Sequence, residues 1–96
     1  MSTSWTFLTN HAQVLLAIAR EPTARMRDIA DAVGITERAA QRIVTDLVDE
    51  GYVDRRRVGR RNEYKVNEHT RMRHPLARDH EVGEILGVLS EPRAAA

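Results

Sequence analysis

Along the first quarter of the chain the apolar residues Ala12, Val14, Leu15, Leu16, Ala17, Ile18 and Ala19 follow one another with almost no polar interruption. Such a run leaves little polar face and predicts a helix at the centre of the core. Asn10 reads as its N-cap, with Gln13 as the capping-box partner three residues on. The helix should end near Arg20, because Pro22 disfavours helical geometry in Glu21. Trp5, Phe7 and Leu8 stand just upstream, placed to pack over the helix start or into a partner subunit.

Downstream, a short segment over Thr23 to Arg25 is read as one or two residues of β-bridge. Met26, Ile29, Ala30 and Val33 then recur at i, i+3, i+4 and i+7, which is one helical face. Gly34 ends that second helix with the permissive backbone a tight turn needs. Thr36 caps a third helix reaching Glu50, with Ala39, Ala40, Ile43, Leu47 and Val48 inward and Gly51 at its C-terminal end.

Beyond Gly51 the period changes from helical to two. A glycine-first turn at Gly59-Arg60 sets Val53 opposite Val66 and Arg55 opposite Tyr64 on one face. On the other it sets Asp54 opposite Lys65 and Arg56 opposite Glu63, two opposite-charge cross-strand pairs. A longer loop over 58–62 is the alternative. Residues 68–75 carry no periodic pattern, end in Pro75 and read as a connector. A last helix, from Leu76 to Leu89, gathers Val82, Ile85, Leu86 and Leu89 on one side. Gly83 and Gly87 weaken it intrinsically, so it needs packing, on its own domain or on a second copy. The tail from Ser90 to Ala96 is expected to be disordered.

Ninety-six residues with 42% hydrophobic and 30% charged content suit one small domain. The absence of cysteine excludes disulfides, thiolate metal sites and cysteine nucleophiles together. The run Ala12 to Ala19 is far shorter than the roughly 20 residues of a membrane span, and no basic region precedes an apolar core at the N-terminus, so cytoplasm is the expected location. His74 and His80 do not align on a helix face, and the four histidines are read as exposed or capping rather than metal-binding. Ser2, Ser4 and Ser90 lie in terminal segments with no glycine elbow, and no acidic pair has a pocket to raise a pKa. The chain is not expected to be an enzyme.

Charge changes the picture more. Between Arg55 and Arg73 eight positive residues face only Glu63 and Glu68, a local balance of +6 inside a chain of net +1, which leaves −5 for the rest. A domain polarised this way can turn a positive edge to a polyanion. The stretch "RDIADAVGITERAAQRIV" has the spacing of a helix-turn-helix, with Ile29, Ala30, Gly34, Ile35, Ala40 and Ile43 as the locking positions. Followed by a charged hairpin, it predicts a winged helix-turn-helix: a mainly α fold with a two- or three-stranded β wing, plus a C-terminal helix.

From about Trp5 to Val66 the chain resembles the winged DNA-binding domains of bacterial and archaeal transcriptional regulators of the MarR and ArsR kind. The segment "GITERAAQRIVTDLVDEGYVDRRRVGRRNEYKV" is similar to their succession of recognition helix, Gly-aromatic-Val strand start and Gly-Arg wing. Its flanking helices are shorter than is typical of MarR-like proteins. The stripe Val82, Ile85, Leu86 and Leu89, with Trp5 and Phe7 ahead of the first helix, predicts a homodimer, folding back of both segments on the same domain being the alternative. The resemblance implies double-stranded DNA as partner and no cofactor, and leaves any small-molecule effector unassigned. It divides the chain into a DNA-binding domain over 1–67, a connector and dimerisation helix over 68–89, and a tail over 90–96. Arg38, Gln41, Arg42 and Thr45 would read a major groove, where arginine pairs with guanine and glutamine with adenine. Thr36 and the amide-rich helix start would attract phosphate, and Arg57, Arg60 and Arg61 of the wing would meet phosphates or the minor groove. Arg56, paired with Glu63, is expected to be structural. The rival reading is a winged helix that binds an acidic protein partner.

Overall fold

The structure, a computed structural model, describes residues 5–90. The elements run α1 (Asn10–Arg20), α2 (Met26–Val33), α3 (Glu37–Asp49), β1 (Val53–Val58), β2 (Arg61–Val66) and α4 (Val82–Ser90). This is a winged helix with a C-terminal helix added. The expected tail lies outside the described residues apart from Ser90, which closes α4.

α1 is capped one residue earlier than the sequence suggests. Thr9 has the extended backbone of an N-cap, and its hydroxyl accepts from Ala12 N at 3.1 Å. Asn10 is already helical, so it cannot cap. The Gln13 amide reaches back past the cap instead and donates to Thr6 Oγ1 and Leu8 O. Val14, Leu15 and Ile18 are buried, and α1 packs against α2, α3, α4 and β2.

After α1 there is no β-bridge at 23–25, and the wing is two-stranded. Pro22 offers a carbonyl but no N–H, so a ladder cannot propagate through it. One backbone bond forms there, from Tyr64 N to Pro22 O at 2.9 Å.

The helix-turn-helix forms as its residue types dictate. Ile29 and Ala30 bury the inner face of α2, and Gly34, at φ +86°, turns the corner. The amides of Gly34 and Ile35 both return to Ala30 O. Thr36 Oγ1 then accepts from Ala39 N at 3.1 Å to start α3. The buried stripe of α3 is Ala40, Ile43, Val44 and Leu47, while Ala39 and Val48 are half-buried. Val44, not among the residues expected inward, completes with Ala40, Ile43 and Leu47 an i, i+3, i+4, i+7 stripe. At the other end Gly51, at φ +84°, supports a Schellman closure, with Tyr52 N bonded to Leu47 O and Gly51 N to Val48 O.

In the hairpin the register is Val53↔Val66, Asp54↔Lys65, Arg55↔Tyr64 and Arg56↔Glu63, and Val58↔Arg61 closes a two-residue turn. Gly59 alone in that turn has positive φ, as a glycine-first turn requires. The longer loop is thereby excluded.

α4 begins at Val82, six residues later than the pattern from Leu76 implied. Leu76 is 91% exposed, and the chain from His74 to His80 runs through turns closed by Ala77 N to His74 O and His80 N to Ala77 O. The first-turn amides of α4 decide this. Val82 N and Gly83 N donate to Thr70 O and Glu68 O at 2.9 Å each, so they are not available to carbonyls of an earlier helical turn. Glu84 reaches back to accept from Glu81 N at 2.8 Å, one half of a capping box. Val82 and Leu86 join the same core as α1, α3 and both tyrosines.

Gly83 has a packing role that its low helix propensity conceals. A Cβ there would lie 2.8 Å from both the Cβ and the carbonyl oxygen of Glu68, whereas a Cβ at Gly87 would meet nothing within 4 Å. Gly83→Ala should therefore lose about 1–3 kcal/mol through forced displacement of the connector. Gly87→Ala should gain up to about 1 kcal/mol of helix propensity. Urea midpoints of the two variants, compared with the parent, should move in opposite directions.

Candidate nucleic-acid interface

α3 is divided lengthwise. Ala40, Ile43, Val44 and Leu47 fasten it to the core, and Arg38, Gln41, Arg42 and Thr45 are all exposed on the outside. Among the described residues, none of those four side chains has a hydrogen-bond or ion-pair partner within the chain. Thr36 is also exposed, but its hydroxyl is committed to the cap. Acidic residues crowd the far end of the helix and are partly answered there. His11 Nε2 lies 2.9 Å from Asp46 Oδ2, and Arg73 Nε lies 3.8 Å from Glu50 Oε1. The first half of α3 is thus the part that a polyanion can approach.

The wing arginines separate into distinct roles. Arg56 pairs with Glu63 at 3.1 Å, as its cross-strand position predicts. Asp54 faces Lys65 in register but makes no ion pair with it; its carboxylate accepts from Asn67 Nδ2 at 3.3 Å instead. Arg57 Nε donates to Gly59 O at 3.2 Å, which folds it along the turn. Arg61 Nη2 donates to Thr23 O at 2.8 Å, so this residue is held against the α1–α2 loop instead of projecting from the tip. Arg60, within the turn, has no such partner among the described residues. The positive segment read from the sequence is shared with the connector, because Arg71 and Arg73 lie there beside Tyr52 and Glu50.

Sequence reasoning passed over Arg25 and Arg27. Both are exposed at the start of α2, and Arg25 holds the N-cap position without a side-chain capping bond. Their signal is the short basic pair in "ARMR", outside the longer arginine run of the wing.

On another face, an apolar groove of about 740 Å³ opens between α1, the end of α3, the connector and α4. Leu15, Leu47, Met72 and Leu86 line it, with Asp46 and Arg73 among its polar residues. Nearby, Tyr52 buries its ring and donates its hydroxyl to Arg71 O at 3.0 Å; burial raises its pKa, which keeps this donor protonated further into the alkaline range than an ordinary tyrosine. Trp5 and Phe7 are 63% and 93% exposed and stack edge to face, with centroids 5.2 Å apart.

Among the described residues no group of three or more His, Cys, Asp or Glu side chains could hold a metal ion. The histidines have other partners: His69 pairs with Glu81 and His80 with Glu84, while His74 Nδ1 accepts from Leu76 N. No helix among the described residues is long and apolar enough to cross a membrane.

A central helix, a helix-turn-helix whose second helix bares a polar face, and an arginine-bearing hairpin together define a winged helix-turn-helix regulator. The MarR family matches residues 6–61, more than half of the chain, and the chain belongs to that family. MarR proteins are transcription regulators, not enzymes, and typically bind DNA. No curated protein matches the chain.

The junction of connector and α4 carries a pH signature. The hydrogen bond that His80 donates to the Glu84 carboxylate, and then the charge of that carboxylate, raise the pKa of His80, and Glu81 does the same for His69. The Glu81 amide, and then His80, lower the pKa of Glu84. A raised histidine contributes fully below its unfolded value of about 6.5 and is lost as pH rises through its folded value. A depressed glutamate contributes above about 4.3 and is lost as pH falls through its folded value. The junction is therefore tightest in the mildly acidic window between them. In an NMR titration His80 should change state above the ordinary histidine value, and Glu84→Gln should bring it back down. An unchanged His80 midpoint in that variant would break the assignment.

Proposed function

We propose that the protein is a sequence-specific duplex-DNA-binding transcription regulator that acts as a homodimer. α3 enters the major groove by its first half, and the wing lies on neighbouring phosphates or in the minor groove. The observation that carries this reading is the outer face of α3. Arg38, Gln41, Arg42 and Thr45 are exposed and without internal partners, on a helix whose opposite face is core. Polar side chains held at helical spacing on a rigid element can match the donor and acceptor pattern of base edges. Arg25 and Arg27 add positive charge at the start of α2, the helix that crosses the backbone in this mode of docking.

A selection on random duplexes tests it. The parent should enrich a defined site. Gln41→Ala or Arg42→Ala should each relax preference at one position and cost about 1–3 kcal/mol on that site. Enrichment of no sequence by the parent, with binding retained to an acidic polypeptide, would favour a protein-interaction module instead.

Dimerisation is supported by the apolar surface left outside the core. In α4, Val82 and Leu86 are committed inward, but Ile85 and Val88 are 41% and 74% exposed, and Phe7 is the most exposed large apolar residue described. Two copies related by a two-fold axis would cover these groups and double the number of bases read. Sedimentation at micromolar concentration should show a species of twice the chain mass, and Ile85→Glu with Val88→Glu should yield a folded monomer. Leu86 is unsuitable for this purpose, since a charge there would disrupt the core. A parent that sediments as a monomer with and without DNA would refute the dimer.

A further inference from the structure

The outer part of the wing has no core to lean on. In β1 only Val53 is buried, and in β2 only Tyr64; Asp54 to Val58 and Arg61 to Asn62 are exposed. A two-stranded hairpin in water is marginal by itself, and the apolar contacts of this one, through Val53, Tyr64 and Val66, are confined to its base. The cross-strand pair of Arg56 and Glu63 ties one strand to the other but not the wing to the body.

Two bonds make that second connection, and both go to the α1–α2 loop. Tyr64 N donates to Pro22 O at 2.9 Å, and Arg61 Nη2 donates to Thr23 O at 2.8 Å. Tyr64 is buried, so the first bond anchors the base. Arg61 lies three residues further out, roughly 10 Å along the strand. With the first bond alone the wing could swing about its base. With both it is held at two separated points, the second next to the turn. The receiving loop is itself stiff, since Pro22 has a fixed φ and Ala24 N closes a turn on Glu21 O at 3.0 Å.

We propose that Arg61 is a positioning residue: its guanidinium is a strut from the wing to the α1–α2 loop that sets the wing angle relative to α3, and so the place where Arg60 reaches a phosphate. The consequence for DNA rests on the reading above that duplex DNA is the partner; the strut itself does not. A charged donor on a neutral carbonyl makes a stronger bond than a neutral one, and it replaces the hydrophobic contact that the distal wing lacks. The two arginines of the turn thereby divide the work. Arg60 supplies charge to the partner, and Arg61 supplies direction.

Arg61→Ala and Arg60→Ala, compared in the full chain, separate these roles. In the protein without DNA, backbone order parameters at residues 58–62 should fall in Arg61→Ala from rigid values near 0.85 to below about 0.6. Arg60→Ala should leave them unchanged, and the Tyr64 amide should stay protected in both. On duplex DNA, Arg60→Ala should flatten the dependence of log affinity on log salt by about 0.9, the loss of one phosphate contact. Arg61→Ala should weaken binding to the preferred site with a smaller change of slope. Wing order that survives Arg61→Ala, together with a slope reduced as much as by Arg60→Ala, would make Arg61 a phosphate ligand and overturn the strut. If the parent does not bind duplex DNA, the functional reading fails, and the order parameters still decide the strut by themselves.

Discussion

Everything in this fold depends on the burial of α1. Val14 and Ile18 have no accessible surface, Leu15 has almost none, and α2, α3, α4 and β2 all rest on this one helix. Full burial of such side chains is worth about 1.5–3 kcal/mol each, and α1 is the helix that α2, α3, α4 and β2 share. The cost is that α1 can have little function of its own. The benefit falls to α3, whose inner stripe is clamped against α1 and α2 while its outer stripe is left free of any structural duty. A rigid inner face and an unpartnered outer face are what a reading helix needs.

Charge then decides which part of α3 is usable. The chain is almost neutral, but its acids and bases neutralise one another locally and unevenly. His11 and Arg73 stand beside the acids at the far end of α3, and Glu63 occupies Arg56. Among the described residues, the bases left without an internal partner include Arg38 and Arg42 of α3, Arg60 of the wing turn, and Arg25 and Arg27 at the start of α2. A count of arginines overstates the charge left unpartnered, because Arg56, Arg57, Arg61 and Arg73 have partners within the chain. Arg61 is the clearest case: it reads as an exposed tip residue in one dimension and proves to be fastened to Thr23 in three.

The sequence made the helix-turn-helix and the wing legible because local rules dominate there. Gly34, Thr36, Gly51 and Gly59 each specify a backbone conformation, and all four hold the conformation that their residue type requires. The register of the hairpin followed from four cross-strand pairs agreeing with one turn. The misreadings lie where tertiary partners compete with local pattern. The cap of α1 is the exception, a local competition: the helix starts one residue earlier than the apolar run implies, so Asn10 is helical and Thr9 caps it. α4 starts late because its first amides are claimed by Thr70 and Glu68, far from it in pattern though near in space. Gly83 looks like a weakness until the connector is seen to pass where its side chain would be.

If the free face of α3 and the wing form one surface that meets duplex DNA, its footprint can be followed residue by residue. Amide chemical-shift mapping of the labelled protein during titration with a short duplex tests it most directly. The largest changes should fall within residues 36–45 and 57–62, while those of Val82–Ser90 stay small. Changes concentrated on α4 and the groove, with α3 and the wing unmoved, would contradict it.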